Sequence, residues 1–333
     1  MTPAELESYL HTLVRKNLRL SVMLWGPPGI GKSSIVAQVA KDNQLELVDV
    51  RLSQLAPTDL RGLPVPENGV VRWFPPEFLP TSGKGVLFLD ELNLAAPVVQ
   101  GVAQQLILDR RVGSYVVPDG WYIWAAGNRK EDRAAVFDMP APLANRFIHV
   151  TVESDIKSFM QHSAREGWPE SIVAFLAFRP ELLHKMDTAR PAWPSPRSWG
   201  MASHLFKAGL GIAGAVGEPV SEEFRSFLEI YDSLPDLESI LHGKGDKLKF
   251  PAEPSKRYAM TVGLPSRAET AEQALAAFRW MEHHSGPEWT QLFIGQLLPR
   301  LRQRGLMGEF SIAVSKDAKL QKFMKDFGAA LAG

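Results

Sequence analysis

The run Gly26, Pro27, Pro28, Gly29, Ile30, Gly31, Lys32, Ser33 has the residue types and spacing needed to hold a chain of phosphates. Glycines let a backbone curl until its N–H groups converge on anionic oxygens, and a helix starting at the lysine adds partial positive charge. Lys32 has the reach for the β- and γ-phosphates, and the Ser33 hydroxyl suits a magnesium ion. Gly26, Pro28, Gly29, Ile30, Gly31, Lys32, Ser33 and Ser34 are therefore the candidate nucleotide contacts. A second signal is the apolar run Val86, Leu87, Phe88, Leu89, which ends in Asp90 and Glu91. Asp90 can hold the magnesium ion directly or through water, and Glu91 can orient or deprotonate the water that attacks the γ-phosphate. Asn128 closes the next apolar run, where an uncharged amide can hold that water from the other side; it is also an ordinary turn residue.

Such groups act together only when strands and helices aim them at one point. Residues 20–25, 45–50, 85–89, 121–126 and 148–152 are strand candidates, and four of the five are almost continuously apolar. Strands buried on both faces have this character, so a mainly parallel sheet covered by helices is expected. Asn68 and Gly69 suit a tight turn, so residues 63–76 form either an inserted hairpin or a plain surface loop. Residues 112–117 and 121–124 flank Pro118, Asp119 and Gly120, which suggests either a second hairpin whose return strand enters the sheet or a loop. Beyond residue 153 helical periodicity takes over, with convincing helices at 268–283, 288–303 and 318–331. Residues 242–255, rich in Lys, Gly and Pro, read as an exposed loop between helical groups.

With 333 residues the chain is long enough for two domains or three. Its 45% hydrophobic and 22% charged residues exclude global disorder. Lys+Arg 37 balances Asp+Glu 37, so no overall field draws the protein to nucleic acid or an anionic membrane. The absence of cysteine excludes disulfides, thiolate metal sites and thiol nucleophiles, and fits a reducing, cytoplasmic setting. Thr2, Pro3 and Glu5 look like a capped helix start instead of an export signal, and no apolar stretch has the length of a membrane span. The eight histidines show no zinc spacing, and the nine tryptophans, not interleaved with basic clusters, are expected to be packing anchors.

In this order, GPPGIGKS, VLFLDELN, AAGN, LANRF and PSPRSW resemble the AAA+ ATPases, particularly the MoxR-like branch, firmly over residues 20–200 and loosely beyond. The resemblance implies an α/β fold: a P-loop module with a five-stranded mainly parallel sheet and β-hairpin insertions over 1–153, a helical lid over 154–242 and a helical C-terminal extension over 243–333. It implies ATP and Mg2+ as ligands, with Ser33 and Asp90 at the metal, and assembly into a homo-oligomeric ring, commonly a hexamer. By the same resemblance Asn128 matches sensor 1, Arg146 the arginine finger that reaches the neighbouring subunit's γ-phosphate, and Arg197 the sensor 2 arginine of the lid. With Lys32 and Glu91 these make up the expected catalytic set. By residue type alone each arginine is as well a surface or salt-bridging group. Asn145 stands where an aspartate is usual in this branch, and the C-terminal extension is long.

The segments around Asn68 and Asp119 match the two insertions that face the central pore in this branch, so Val71, Arg72, Trp73 and Phe74 are expected to touch a partner. The implied task is remodelling or activation of a protein client, chaperone-like, extending to metal insertion or complex maturation, with a von Willebrand factor A domain protein as partner. A tight ATP-binding scaffold or switch with little turnover is the alternative. A nucleic-acid motor is disfavoured by the zero net charge and the lack of a basic stripe.

Overall fold

The computed structural model describes residues 1–129, 131, 136–234 and 236–332. The chain divides into two units, Met1–Asp155 and Ile156–Gly333.

The first unit runs α1 (Pro3–Arg15), β1 (Val22–Trp25), α2 (Lys32–Asp42), β2 (Glu46–Arg51), α3 (Pro57–Arg61), β3 (Leu63–Glu67), β4 (Val70–Phe74), β5 (Lys84–Asp90), α4 (Pro97–Asp109), β6 (Arg111–Val112), β7 (Tyr115–Val116), β8 (Gly120–Gly127), α5 (Ala141–Ala144) and β9 (Ile148–Thr151). Thr2 and Glu5 close a capping box at the start of α1, which satisfies two backbone N–H groups of the first turn. Five strands form one sheet in the order β2-β5-β8-β1-β9, every neighbouring pair parallel. Side chains alternate along each strand, and both faces are apolar. Met23, Leu87, Leu89, Trp121, Ile123 and Ala125 pack on one face with α4, while Leu24, Val86, Phe88, Tyr122, Trp124 and Ala126 pack on the other with α1 and α2. This two-sided burial, about 1.5–3 kcal/mol for each large aliphatic or aromatic side chain, is why the strands lack polar alternation.

The first insertion is a hairpin: β3 and β4 pair antiparallel around Asn68 and Gly69, both with positive φ (49° and 79°), as the turn chemistry requires. The second differs from the expected form. Its hairpin is β6 with β7, turning at Gly113 and Ser114, and the Pro118–Gly120 segment is a turn outside the hairpin. Two causes are visible. Arg110 Nη2 donates to the carbonyls of Pro118 and Trp121 (3.0 and 2.8 Å), pinning that turn. The strand that follows, β8, has both edges taken by the parallel strands β5 and β1, so it cannot serve as an antiparallel return.

The second unit is helical: α6 (Ile156–Arg165), α7 (Glu170–Phe178), α8 (Pro196–Lys207), α9 (Ala213–Val216), α10 (Glu218–Asp232), α11 (Leu237–Leu241), α12 (Pro254–Arg267), α13 (Ala271–His284), α14 (Pro287–Gln303), α15 (Met307–Ser315) and α16 (Ala318–Ala332). One core gathers around Phe175, Trp199 and Phe224, another around Phe278, Phe293 and Phe310. Helix α12 serves both, giving Ala259 and Val262 to the first and Met260 and Leu264 to the second. Beside it Glu170 accepts hydrogen bonds from the Tyr231 hydroxyl and from Arg267. Burial, and then the Glu170 charge, push the Tyr231 hydroxyl well above its ordinary range. The stretch expected as an exposed loop is partly anchored: Trp280 Nε1 donates to the Gly245 carbonyl (2.9 Å), and Phe250 packs on Trp280 and Trp289. Its Lys and Gly content signals chain bends, while the apolar residues between them still find partners. Among the described residues no helix is long and apolar enough to cross a membrane.

Candidate functional site

The loop between β1 and α2 is shaped by three glycines with positive φ: Gly26 at 159°, Gly29 at 80° and Gly31 at 100°. At Gly26 space decides as well, because a Cβ there would lie 2.7 Å from the Val152 carbonyl oxygen. Ile30 buries its side chain in the sheet core at 4% exposure, which anchors the loop and leaves its backbone to the concave side. Gly31 caps α2 with no side-chain hydrogen bond, so the first-turn N–H groups carry no cap in competition with an anion. Lys32 is buried, and its Nζ donates to Gly26 O (2.6 Å), Pro27 O (3.1 Å) and Asn128 Oδ1 (3.1 Å). The ammonium thus spans the inside of the loop. Ser34, two residues along, is exposed.

The acidic pair sits at the C-terminal end of β5, beside the loop. Ser33 Oγ donates to Asp90 Oδ2 at 2.7 Å, which places a hydroxyl and a carboxylate oxygen side by side. Two hard oxygen donors at one point fit a magnesium ion, which takes oxygen ligands. Asp90 Oδ1 accepts from the Glu91 N–H (2.8 Å), so the pair braces itself. Glu91 has φ 58°, a left-handed conformation that costs a non-glycine residue about 1 kcal/mol or more and is kept where the surroundings enforce it. Its carboxylate accepts from Ser53, just beyond β2. On β2 itself, partial burial and then the Asp90 charge hold the Asp49 carboxyl above its usual range, with Arg51 pulling the other way.

Lys32, Ser33, Asp90, Glu91 and Asn128 are therefore brought together. Two neighbours that the sequence did not single out complete the arrangement, Ser53 and Asn93. Asn93 is 3% exposed; its Nδ2 donates to Asn128 O (2.7 Å) and its Oδ1 accepts from Asn128 N (3.1 Å). This clamp holds the backbone at Asn128 as a neighbouring strand would. It also explains Gly127, where a Cβ would lie 2.3 Å from Asn93 Oδ1 and 2.6 Å from the Met23 methyl. Asn93 follows the acidic pair in sequence, yet its type alone signals only a turn. Asn93→Ala is expected to lower stability by about 1–3 kcal/mol, through two unpaired backbone groups, and turnover by about tenfold. Thermal denaturation and steady-state kinetics measure the two.

The arginines stand elsewhere. Arg146 lies just past α5 and Arg197 in the first turn of α8, in the second unit; both are exposed, and among the described residues neither side chain makes an ion pair or hydrogen bond. In the β3–β4 hairpin Val71, Arg72 and Phe74 are exposed, whereas Trp73 is half-buried under Arg61, whose guanidinium lies 4.3 Å from its ring centroid. Ser114 Oγ donates to Trp73 O (2.6 Å), tying the two hairpins together.

Glu7, His11 and Asp42 also converge, with ligand atoms within 4.8 Å of one another. Asn43 Nδ2 donates to the Val39 carbonyl (2.7 Å) and lies 2.8 Å from His11 Nδ1, so Nδ1 accepts and Nε2 carries the hydrogen toward the carboxylates. That tautomer suits hydrogen bonding to acids, and Nε2 offers no lone pair to a metal.

A glycine loop opening a helix, with a serine joined to an acid on a strand one removed from the loop strand, defines a P-loop nucleotide-binding site. Residues 21–147 match the family described as AAA domain (dynein-related subfamily), and the first unit accordingly holds an AAA+ ATPase domain. The chain is 30% identical to midasin of Giardia intestinalis over 153 residues, 42% of this chain; it spans 3% of the length of midasin. Among solved structures it is similar to a RuvB variant of Thermotoga maritima, with 17% identity over 80% of this chain and 82% of that one and a TM-score of 0.42. It is also similar to NtrX of Brucella abortus in complex with ADP, with 16% identity over 96% and 68% and a TM-score of 0.36.

Proposed function

We propose that the protein is a MoxR-like AAA+ ATPase that assembles into a homo-oligomeric ring, commonly a hexamer in that branch, and uses ATP hydrolysis to remodel or activate a protein client. The observation that carries this reading is the convergence of Lys32, Ser33, Asp90, Glu91 and Asn128, while Arg146 on the same unit is exposed and unpaired among the described residues. The loop N–H groups and Lys32 bind and orient the phosphates, Glu91 takes the proton of the attacking water, and Asn128 holds that water. Ser33 and Asp90 would hold a magnesium ion, which would supply charge neutralisation on the phosphates. Arg146 completes the site of the next subunit. Arg197 is a cation at the positive end of α8, a position that costs about 0.3–1 kcal/mol when no acid faces it, which suits an arginine kept for an anionic ligand.

The lid is assigned to 154–242 and the extension to 243–333. Exposed Leu63, Val65, Val70, Val71 and Phe74 give the first hairpin an apolar surface suited to a protein client, and a von Willebrand factor A domain protein is the partner type the resemblance implies. The lack of cysteine supports a cytoplasmic setting. The test is ATP turnover per subunit across a range of protein concentrations. A rise to a plateau that coincides with assembly is expected. Flat turnover across assembly removes the shared site, and tight ATP binding with no turnover favours the scaffold reading.

A further inference from the structure

Trp25 is the last residue of β1 and directly precedes Gly26 of the phosphate loop. His149 lies on the adjacent strand β9, three residues beyond Arg146, and pairs in register with Met23. Trp25, two residues further along β1, therefore projects on the same face as the residue opposite His149.

The Trp25 indole Nε1–H donates to His149 Nδ1 at 2.8 Å, and His149 Nε2 lies 2.8 Å from the Ala144 carbonyl oxygen. An indole N–H only donates and a carbonyl only accepts. The two contacts thus demand one and the same neutral imidazole, with its hydrogen on Nε2. The rings are nearly parallel, at 12° with centroids 5.9 Å apart, and Phe147 meets the imidazole edge-on at 6.3 Å. Ala144 ends α5, two residues before Arg146.

At the other end of the bridge the loop is held just as closely. Val152 N–H donates to Trp25 O (2.7 Å), and Lys32 Nζ donates to Gly26 O (2.6 Å). A path of three hydrogen bonds joined by covalent links therefore runs from Lys32 to Gly26 O, along the backbone to Trp25, from its indole to His149, and from His149 to Ala144 O in the turn bearing Arg146. We infer that Trp25 and His149 are positioning residues that aim Arg146 from the subunit's own phosphate loop, so that one nucleotide site governs the arginine offered to the next. This rests on the reading of Arg146 as the group that completes a neighbour's site. His149 is itself exposed, so its two hydrogen bonds and its ring contacts are what carry displacement, and a shift of about 1 Å in a reacting group can cost about a hundredfold in rate.

The experiment is steady-state ATP turnover of the assembled full chain, with ADP affinity measured alongside. His149→Phe keeps a ring without hydrogen bonds, Trp25→Phe removes the donor together with part of the ring, and His149→Gln restores one donor and one acceptor. His149→Phe and Trp25→Phe are each expected to lower kcat by about ten- to a hundredfold, with KM for ATP and ADP affinity unchanged. His149→Gln is expected to recover most of the loss. Added to Arg146→Ala, His149→Phe should cause no further loss, because the two act through one group. A His149→Phe enzyme within about twofold of the parent, or a loss that multiplies with that of Arg146→Ala, overturns the bridge while leaving the arginine assignment in place. An Arg146→Ala enzyme with full turnover overturns both. Trp25→Phe keeps the test decisive if His149→Phe fails to fold.

Discussion

Glu91→Gln is expected to lower kcat by roughly a hundredfold to ten-thousandfold while ATP stays bound. The amide matches the carboxylate in size and keeps the Ser53 hydroxyl as a partner, so the loop, Ser33 and Asp90 are undisturbed. What it loses is the ability to take a proton from water. The measurement pairs single-turnover phosphate release with equilibrium ATP binding. Release at the parental rate would place the base on another residue, and loss of binding would show that Glu91 supports the loop instead of the chemistry. On the proposed remodelling reading, the same variant with ATP bound should retain a protein client, because the cycle would stop before the step that releases it.

Arg146→Ala is expected to cost about a thousandfold or more in assembled turnover, with ATP affinity little changed, since a guanidinium supplied across an interface acts mainly on transition-state charge. The decisive form uses mixed rings. An Arg146→Ala subunit keeps its own loop and Glu91, and a Glu91→Gln subunit keeps its arginine, so each supplies what the other lacks. Mixing the two inactive proteins should restore activity at those junctions where the arginine of one faces the intact site of the other. If no mixture recovers activity, the arginine acts within its own subunit or only holds structure. The exposure of Arg146 and its lack of a side-chain partner among the described residues make a purely structural role a poor account of it.

Local chemistry was legible in the sequence wherever a few adjacent residues carried it. The glycine spacing of the loop, the capping box at Thr2 and the turn at Asn68 and Gly69 each depend on backbone geometry over two to eight positions, and each appears where those residues place it. The second hairpin lies earlier in the chain than the sequence suggests because Asp119 and Gly120 have turn chemistry too, and only the occupied edges of β8 decide that their turn lies outside the hairpin. Asn93, Ser53 and His149 were missed for a related reason. Their types are common in turns and strands, and their partners lie 35, 38 and, for Trp25, 124 positions away.

By itself, then, the order of residues determined the phosphate-binding loop, the acidic strand end and the doubly buried sheet, because continuous apolar runs and glycine's freedom act between near neighbours. The tertiary structure decided which side chains close the site. A clamp on Asn128, a hydroxyl on Glu91 and an imidazole joining Trp25 to Ala144 exist only once distant strands lie side by side, since a hydrogen bond reaches about 3 Å and has no sequence signature of its own.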